Sequence, residues 1–403
     1  MKKYKLNDVC LKITDGSHFS PKAVDFGYPM YSVKDMNEFG FNDSDYKMIS
    51  EDDFKSLVAA GCRPQKDDVL IAKDGSYLKY AFVCKEEKDE VVLSSIAILR
   101  PNKNIIDPTF FSFLLRNPSV KKSMKYYVSG TALPRIVLDN FKKMEINIPG
   151  LSEQKKIGDM LSTLDKRIEN LRAQNRVLEQ TAKTIYDYTF LQCTGRQTTY
   201  NKTLNRNIPE DWEVKNMSEL AEVVNGATPS TAEEGNFDGG IVWITPKDLS
   251  DQKSKFVYFG ERTITQKGYD SCSTTLVPVN SILMSSRAPI GLVSIAKCEL
   301  CTNQGFKTFV PKSEDYTEYL YYYLLTNMKK IEQLGSGTTF KEVSRGSLTS
   351  FPVIVPDKKT LDAFNSSIKP LFEKQLVNTK QIEALTTQRN TLLPLLMTGQ
   401  VEV

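Results

Sequence analysis

The sequence contains few of the groups on which most enzymes depend. Its only histidine is His18, which lies in the turn-like stretch DGSHFSP, where a loop role outweighs that of a catalytic base. No GxxxxGK[ST] phosphate loop occurs, which excludes a P-loop ATPase. Acidic residues are plentiful, but no motif pairs them. We therefore predict that the chain is not itself a catalyst.

Cysteines and long apolar runs are equally sparse. The seven cysteines are odd in number and scattered, which favours free thiols in a reducing cytoplasm over a disulfide framework. The one CxxC pair, Cys298 and Cys301, lacks the two further ligands that zinc needs, so we predict no metal site. No segment approaches the roughly 18 apolar residues of a membrane helix, and the stretch MKKYKLNDVCLK does not read as a signal peptide. We expect a cytoplasmic protein without membrane contact.

The composition that remains is that of a globular protein of several domains. A length of 403 residues predicts two or three domains, and 40% of the residues are hydrophobic while 25% are charged. The net charge is +4 and the sequence pI is near 8.4. This balance permits a polyanionic partner without requiring one, because dedicated nucleic-acid-binding domains often exceed a pI of ~9.

The chain is an internal duplication with a period of about half its length. The stretch SGTALPRIVLDNFKKMEINIP is followed much later by SGTTFKEVSRGSLTSFPVIVP, which aligns Gly130 with Gly337 at an offset of 207 residues. Elsewhere MYSVKDM is echoed by VWITPKDL, which pairs Lys34 with Lys247 at an offset of 213. The offset drifts as expected when loops change length and cores do not.

Each half consists of a globular module followed by a long helical arm. Short β-rich runs such as VVLSSIAIL lie between turn residues, and segments such as PTFFSFLLRNPSVKKSM have helical spacing, so the module is mixed α and β. The predicted fold class is α+β, with two pseudo-repeated globular domains joined by two long helices. The predicted boundaries are 1–150 for the first module, 151–195 for the central helical region, 196–356 for a linker and the second module, and 357–403 for the C-terminal helical region.

The first arm has the heptad spacing of a coiled coil. Its apolar steps alternate between four and three residues without a break, which indicates a narrow seam rather than the wide stripe of a helix on a globular core. Asn175 falls on an a position, where a lone polar residue fixes register. The predicted seam of this arm is Ile157, Leu161, Leu164, Ile168, Leu171, Asn175, Leu178, Ala182 and Ile185.

The second arm, predicted over 360–397, has a similar but interrupted seam. Pro370 is expected to kink or restart the helix. The two arms can pair with each other, or each can pack on its own module; the first arrangement is favoured because a seam needs a partner. An arm of roughly 35–40 residues would span about 50–60 Å, on the order of 15 base pairs of B-DNA. The predicted seam of this arm is Leu361, Phe364, Ile368, Leu371, Ile382, Leu385 and Leu392, with the polar Gln375 and Asn378 in its middle.

Nearly the whole chain resembles the specificity (S) subunit of type I restriction–modification enzymes. The stretches that carry the resemblance are IPEDWEVKNMSEL, ILMSSRAPIGLVSIA, CTNQGFKTFVP, SGTTFKEVSRGSLTSFPVIVP and EQKKIGDMLSTLDKRIE. The resemblance implies two target recognition domains, each reading one half of a split DNA site. It also implies that the helical regions form an antiparallel coiled coil that sets the gap and docks the modification subunits. Because TALPRIVLDNF in the first module differs from TTFKEVSRGSL in the second, we expect an asymmetric target.

The resemblance also assigns the chemistry to other chains. This sequence has no Asn-Pro-Pro-aromatic motif and no glycine-rich loop after a strand to hold S-adenosylmethionine, which argues against a self-contained methyltransferase. S-adenosylmethionine, ATP and Mg²⁺ are therefore expected on partner subunits. The expected partners are double-stranded DNA and modification subunits, two in number, with or without a restriction subunit. The alternative function is a coiled-coil scaffold whose two modules bind proteins and not DNA.

Candidate DNA contacts are polar side chains that cluster beside glycines in loops. Base edges are read by Arg, Lys, Asn and Gln, and phosphates are held by Lys, Arg, Ser and Thr. For each residue a solvated surface position is the alternative. The candidates are Lys73, Ser76, Lys79, Tyr126, Thr131 and Arg135 in the first module, and Ser285, Ser286, Arg287, Asn303, Gln304, Lys307, Thr338, Thr339, Lys341 and Arg345 in the second.

Overall fold

A computed structural model describes residues 1–74, 79–128, 134–337 and 341–402. The chain divides into two compact units: unit 1 is Met1–Arg172 with Gln381–Val403, and unit 2 is Ala173–Lys380. The two long helices, Leu151–Tyr186 and Lys358–Thr398, each supply one part to unit 1 and the other part to unit 2. None of the helices in the described ranges combines the length and the apolar character needed to cross a membrane.

Unit 1 begins with a small α+β module. The strands are β1 Lys2–Lys5, β2 Cys10–Asp15, β3 Tyr28–Tyr31, β4 Lys47–Ile49, β5 Val69–Ala72, β6 Ala81–Val83, β7 Val91–Val92, β8 Ile96–Pro101 and β9 Glu145–Ile148, and the helices are α1 Leu6–Val9, α2 Glu51–Ala59, α3 Pro108–Arg116, α4 Pro118–Met124, α5 Leu138–Lys143 and α6 Leu151–Tyr186. The largest sheet has the antiparallel order β2-β8-β5-β6, a second has the order β4-β3-β7 with β3 and β7 parallel, and β1 pairs with β9.

Unit 2 repeats this plan with additions. Its strands are β10 Thr198–Asn201, β11 Arg206–Pro209, β12 Glu213–Asn216, β13 Ala221–Asn225, β14 Phe237–Ile244, β15 Phe256–Val257, β16 Arg262–Ile264, β17 Ile282–Ser285, β18 Val293–Ala296, β19 Cys301–Thr302, β20 Phe306–Pro311 and β21 Pro352–Val355, and the helices are α7 Pro246–Gln252, α8 Gln266–Asp270, α9 Thr317–Thr326, α10 Met328–Gln333, α11 Arg345–Thr349 and α12 Lys358–Thr398. The sheet orders are β13-β20-β17-β18-β15, β16-β14-β19, β12-β21 and the hairpin β10-β11. The duplicated α+β fold class predicted from the sequence is confirmed.

A pair of glycines explains why DG and NG recur at the start of each module. The Ser17 N–H donates to the Val92 carbonyl at 2.9 Å, and the Ala227 N–H donates to the Thr302 carbonyl at the same distance. A Cβ atom on the preceding Gly16 would lie 2.0 Å from the Val92 oxygen, and one on Gly226 would lie 2.1 Å from the Asn303 oxygen. Only glycine permits so close an approach of two backbones.

Strands and helices form where buried apolar residues and caps coincide. In unit 1, strand β5 is fully buried, and α3 begins at Pro108 with Asp107 as its cap, whose side chain accepts a hydrogen bond from the Phe110 N–H at 2.9 Å. In unit 2, α9 buries four tyrosines. Two of them satisfy their hydroxyl groups on the backbone of the β21 segment, Tyr319 on the Ile354 carbonyl at 2.6 Å and Tyr323 on the Pro352 carbonyl at 2.8 Å.

The two long helices pair in antiparallel fashion within unit 1. Ile157 and Leu161 of α6 belong to the same hydrophobic core as Leu393, Leu396 and Met397 of α12, together with residues of the module. Further along α6, the Asp165 carboxylate accepts a hydrogen bond from Arg389, which precedes those core residues of α12. The arms therefore pair with each other, as the sequence favoured, and also pack on the module.

Unit 2 shows the same antiparallel pairing between the remaining parts of the helices. The Asn378 side-chain amide of α12 donates to the side-chain oxygen of Asn175 in α6 at 2.9 Å, and the ring of Phe364 lies 4.9 Å from that of Phe190. Phe190 belongs to a six-residue π-helical turn, Asp187–Gln192, that follows α6. Helix α12 runs through Pro370 without restarting.

The predicted seam residues differ in their burial. Ile157, Leu161, Ile168, Leu171, Phe364 and Ile368 are buried, whereas Leu164, Asn175, Leu178, Ile185, Leu371, Ile382, Leu385 and Leu392 are half-buried. Beyond Leu178 the fully buried positions of α6 are Ala182 and Tyr186, four residues apart, and not Ile185. The reason is that Tyr186 packs against the aromatic rings of α9 as well as against α12, so the buried face is wider than a two-helix seam.

Leu161 gives a direct test of the joint core of unit 1. Replacing it with alanine removes buried methyl groups that contact the core formed by the module and α12, and we expect a loss of about 2–5 kcal/mol in the free energy of unfolding. The measurement is urea denaturation of the full chain. The matched control on the same helix is Val177→Ala, which alters an exposed side chain and should change stability by less than about 0.5 kcal/mol. Equal losses for the two variants would contradict this core assignment.

Candidate nucleic-acid interface

Three loops of unit 2 are brought together by backbone hydrogen bonds. The Ser286 N–H donates to the Gly305 carbonyl at 2.7 Å, and the Val343 N–H donates to the Ser286 carbonyl at 3.0 Å. These two bonds hold the segments 285–292, 303–305 and 341–345 side by side. The sequence candidates of the second module that the structure describes lie in these segments or directly beside them.

An acidic side chain organises the cations of this cluster. The Glu342 carboxylate accepts from the Arg287 guanidinium at 3.0 Å and from the Lys307 ammonium at 3.0 Å. Burial alone would raise the pKa of Glu342, but the hydrogen bonds and charges of Arg287 and Lys307 hold it below its ordinary value. Lys307 is buried, whereas about half of the Arg287 side chain is exposed. Arg287 is therefore the cation of this pair that a ligand can reach.

The hydroxyl groups of the two serines form hydrogen bonds to the backbone of these loops and are not exposed to solvent. Ser285 donates its hydroxyl to the Pro289 carbonyl at 2.6 Å and accepts from the Leu292 N–H at 2.9 Å. Ser286 donates to the Gly305 carbonyl at 3.2 Å, and both serines are fully buried. They fix the shape of the segment that presents Arg287.

The other polar candidates of unit 2 are more accessible. Asn303 is half-buried, and its side-chain oxygen accepts from the Gly305 N–H at 2.9 Å. Gln304, Lys341 and Arg345 are exposed. The carbonyl oxygen of Gln304 accepts a hydrogen bond from Thr228, a residue that sequence reasoning did not single out. Thr338 and Thr339 lie outside the described residues.

Unit 1 carries the same backbone framework with different side chains. The Lys73 N–H donates to the Ser95 carbonyl at 3.0 Å, and the Ile136 N–H donates to the Lys73 carbonyl at 3.0 Å, which reproduces the two bonds of Ser286 in unit 2. The Lys73 side chain is buried, with its ammonium group 3.4 Å from the Asp15 carboxylate and 3.2 Å from that of Asp74.

Of the remaining candidates of the first module, Arg135 is tied to a partner of this buried lysine, as is the histidine His18. His18 has its ring nitrogen 3.5 Å from the Asp15 carboxylate, and Arg135 is exposed and forms a β-bridge with Asp74. Lys79 is exposed and lies over the Tyr80 ring, 5.0 Å from its centre, and Tyr126 is also exposed. Ser76 and Thr131 lie outside the described residues.

An exposed aromatic loop in unit 1 escaped sequence reasoning. Phe19 and Phe26 are 65% and 91% exposed, and they flank the segment that Lys47 anchors through its hydrogen bond to the Ser20 hydroxyl at 2.8 Å. The signal was present in SHFSPKAVDFGYP, where two phenylalanines interrupt a loop rich in proline, glycine and charge. Such rings are available for stacking on flat ligands.

Thiols and carboxylates do not converge on a metal-binding arrangement in the described ranges. No cluster of three or more His, Cys, Asp or Glu side chains suited to a metal ion occurs there. Cys298 donates to the Tyr258 carbonyl at 3.4 Å. Burial raises the pKa of the Cys301 thiol to about 11, so this thiol is protonated at neutral pH.

The model of a known protein family matches this sequence twice, once for each module and the long helix that follows it. The model of the type I restriction modification DNA specificity domain matches residues 1–180 and again residues 209–387. The chain belongs to this family. The resemblance noted in the sequence is confirmed: this is a type I restriction–modification specificity subunit with two DNA target recognition domains.

Relatives with the same family name match either nearly the whole chain or a large part of it. The putative MjaX specificity subunit of Methanocaldococcus jannaschii is 26% identical over 407 aligned residues, which cover 99% of this chain and 93% of that relative. The HindI specificity subunit of Haemophilus influenzae is 25% identical, covering 84% of this chain and 87% of the relative. The MjaIX specificity subunit of M. jannaschii is 40% identical over 162 residues, which are 40% of this chain and 38% of that protein. Specificity subunits are the non-catalytic members of their systems.

A solved structure supports the fold. The crystal structure of a type I restriction–modification S subunit from M. genitalium has a TM-score of 0.63 with this specificity subunit, at 15% sequence identity, over 98% of this chain and 95% of that one. The likeness confirms the architecture of two modules and two long helices.

The cation cluster of unit 2 predicts a pH-dependent contribution to stability. Because the pKa of Glu342 lies below its ordinary value of 4.5, its carboxylate stabilises the folded state at neutral pH. That contribution is lost as the pH falls through the pKa of the folded state. We expect the difference in urea midpoint between the parent and Glu342→Gln to be larger at pH 7 than at pH 3. Glu299→Gln, which alters an exposed carboxylate outside the cluster, is the control; a Glu342→Gln difference that is the same at both pH values would contradict the assignment.

Proposed function

We propose that this specificity subunit reads an asymmetric, bipartite DNA target with a fixed gap, one half-site by each module. The observation that carries the proposal is the pair of matching frameworks with unlike side chains. Lys73 and Ser286 make equivalent backbone hydrogen bonds, yet the residue that follows is the acidic Asp74 in one module and the half-exposed Arg287 in the other. Two readers of one geometry and different chemistry recognise different base sequences, because base edges differ in their donors and acceptors.

Exposure divides the candidate contacts of each module into two roles. Arg287, Gln304, Lys341 and Arg345 in unit 2, and Lys79, Tyr126 and Arg135 in unit 1, are the side chains that reach DNA. The buried Lys73, Ser285, Ser286 and Lys307 hold the loops in place. Arg287 is the strongest candidate for a base contact, since Glu342 orients its guanidinium and arginine can bind the guanine O6 and N7 atoms through two hydrogen bonds.

The exposed phenylalanines give unit 1 a contact of another kind. Phe19 and Phe26 offer apolar ring faces next to the Asp15–His18 segment. We assign them to packing against sugar or base surfaces at the half-site of the first module. The corresponding loop of unit 2, ATPSTAEEG, has no aromatic residue. This difference again supports an asymmetric target.

The antiparallel helices set the gap between the half-sites. Helices of 36 and 41 residues are about 54 and 62 Å long at ~1.5 Å per residue. A rod of that length corresponds to a separation on the order of 15 base pairs. The same helices dock two modification subunits, with or without a restriction subunit, and those subunits hold S-adenosylmethionine, ATP and Mg²⁺.

Selection of bound duplexes tests the proposal. The full chain, together with its modification subunits, is mixed with a pool of random duplexes, and the retained DNA is sequenced. We expect one enriched sequence made of two unlike half-sites at one spacing. If no sequence is enriched, sequence-specific DNA binding is overturned and the protein-binding scaffold is favoured instead. A palindromic target would retain DNA reading and overturn the asymmetry.

Arg287→Ala should relax one half-site and leave the other intact. Loss of a paired contact to guanine costs about 1–3 kcal/mol of discrimination at one base position. The same selection measures the effect as broadened base preference at that position. Arg262→Ala is the matched control, because Arg262 is an exposed arginine of the same unit that packs over the Phe237 ring. Equal broadening in both variants, or in both half-sites, would count against a specific role of Arg287.

Shortening both helices should shorten the gap. Deleting residues 173–179 from α6 and 374–380 from α12 removes one heptad from each of two antiparallel segments within unit 2. Each helix loses ~10.5 Å, which corresponds to about three base pairs. The preferred gap in the selection is expected to fall by about three base pairs, and duplicating the same two segments should lengthen it by about three. An unchanged gap in both variants would refute the proposal that the length of the helices sets the gap.

A further inference from the structure

A cavity of about 400 Å³ in unit 1 is lined by an unusual number of cations. It lies among α3, α4, α6, α12 and the start of β6. Its walls carry five basic side chains and one acidic side chain: Lys79, Arg116, Lys121, Arg172, Arg389 and Glu38. Neither the candidate DNA contacts nor the helix seam explains why so many positive charges lie together here.

The arginines on the floor of the cavity already share the available carboxylates. Glu38 accepts from Arg172 at 3.1 Å, from Arg116 at 3.4 Å and from Arg389 at 2.5 Å. Asp165 accepts from Arg116 and from Arg389, each at 2.7 Å. Three guanidinium groups are therefore held by two carboxylates, and the floor retains one positive charge.

The two lysines at the open side add to that excess. In the described part of the chain, neither Lys79 nor Lys121 has a carboxylate within ion-pair distance. The Lys121 ammonium is half-buried, and its hydrogen bond goes to the backbone carbonyl of Lys79 at 3.4 Å. Burial lowers the pKa of Lys121, and the positive charge of Arg116 lowers it further. With the arginine floor, the cavity has an excess of three positive charges over its carboxylates.

The two asparagines of the lining have their side-chain oxygens occupied. The side-chain oxygen of Asn390 accepts from the Arg389 guanidinium at 3.1 and 3.3 Å. That of Asn37 accepts from the Phe39 and Gly40 N–H groups at 2.9 and 3.1 Å. The groups left to meet a ligand are N–H donors and positive charges, and such a lining is complementary to an anion with several acceptor oxygens.

We infer that this cavity, formed by Lys79, Lys121 and the Arg116–Arg172–Arg389 cluster, binds an oxyanion of the phosphate class. A phosphate suits it because guanidinium forks and ammonium groups together satisfy several oxygens at once. Two sources share this chemistry: a phosphodiester of the DNA backbone and a free phosphate group. The DNA source rests on the proposed function, since Lys79 is one of the exposed candidates for DNA contact.

The test compares two neighbouring lysines of α4. Lys121→Gln removes a charge from the cavity, and Lys122→Gln removes an exposed charge from the same helix outside it. Each full-length variant is titrated with inorganic phosphate by calorimetry and with a target duplex over a series of KCl concentrations. Urea midpoints establish that the variants are folded, and Lys79→Gln, on the exposed rim, gives an independent second measurement.

Binding of phosphate by the parent and by Lys122→Gln, with at least a tenfold loss in Lys121→Gln and in Lys79→Gln, supports the site. If the ligand is a DNA phosphate, the slope of log K against log [KCl] also decreases by about 0.9 in Lys121→Gln relative to Lys122→Gln. Loss of phosphate binding with an unchanged slope identifies free phosphate as the source. If Lys121→Gln changes neither phosphate binding nor the salt slope, the inference is overturned. The same holds if the substitution changes only the affinity for a modification subunit. If the parent binds phosphate but binds no duplex even with its modification subunits present, DNA recognition is refuted and the anion site remains supported.

Discussion

The two long helices expose more apolar surface than either can bury alone, and this constraint governs the rest of the structure. In unit 1 the α6 residues Ile157 and Leu161 join a core that also contains Phe110 of the module and Leu396 of α12. In unit 2 Tyr186 meets Phe364 of α12 and the tyrosines of α9. The core of each unit is therefore built from three parts: the module, a segment of α6 and a segment of α12. A module packs correctly only when its two helix segments are in register.

Register is fixed by polar groups buried within the helix pairs. In unit 2 Asn378 is fully buried and bonds to Asn175, while Gln375 donates to the Asn175 carbonyl at 3.1 Å and to Glu179 at 3.1 Å. Lys255 of the module ties the same region together through an ion pair with Glu179. If one helix slid along the other by one turn, these polar groups would be buried without hydrogen-bond partners. The free-energy cost of burying them unpaired disfavours the shifted register. In unit 1 the Arg389–Asp165 pair has the corresponding role, with charges in place of amides.

Sequence reasoning identified the duplication, the two arms and the family, because these depend on spacing and on residues that stand close together in the chain. It could not rank the candidate contacts, because burial depends on partners distant in sequence. Lys307 forms an ion pair with Glu342 and Lys73 forms one with Asp15, and no local sequence pattern predicts either acidic partner. The domain boundaries and the individual DNA contacts remain predictions. Phe26 was overlooked because a lone aromatic residue in a loop is ordinarily read as core.

Unit 1 is assembled from two stretches that lie on either side of unit 2 in the sequence, since its core closes only when Leu393, Leu396 and Met397 are present. During synthesis all of unit 2 is translated before the last part of unit 1, although the module of unit 1 is translated first. The core of unit 1 is consequently completed only after unit 2 has been translated. Until then Asp165 lacks its α12 partner, and the apolar face of the first turns of α6 stays open to water or to a chaperone.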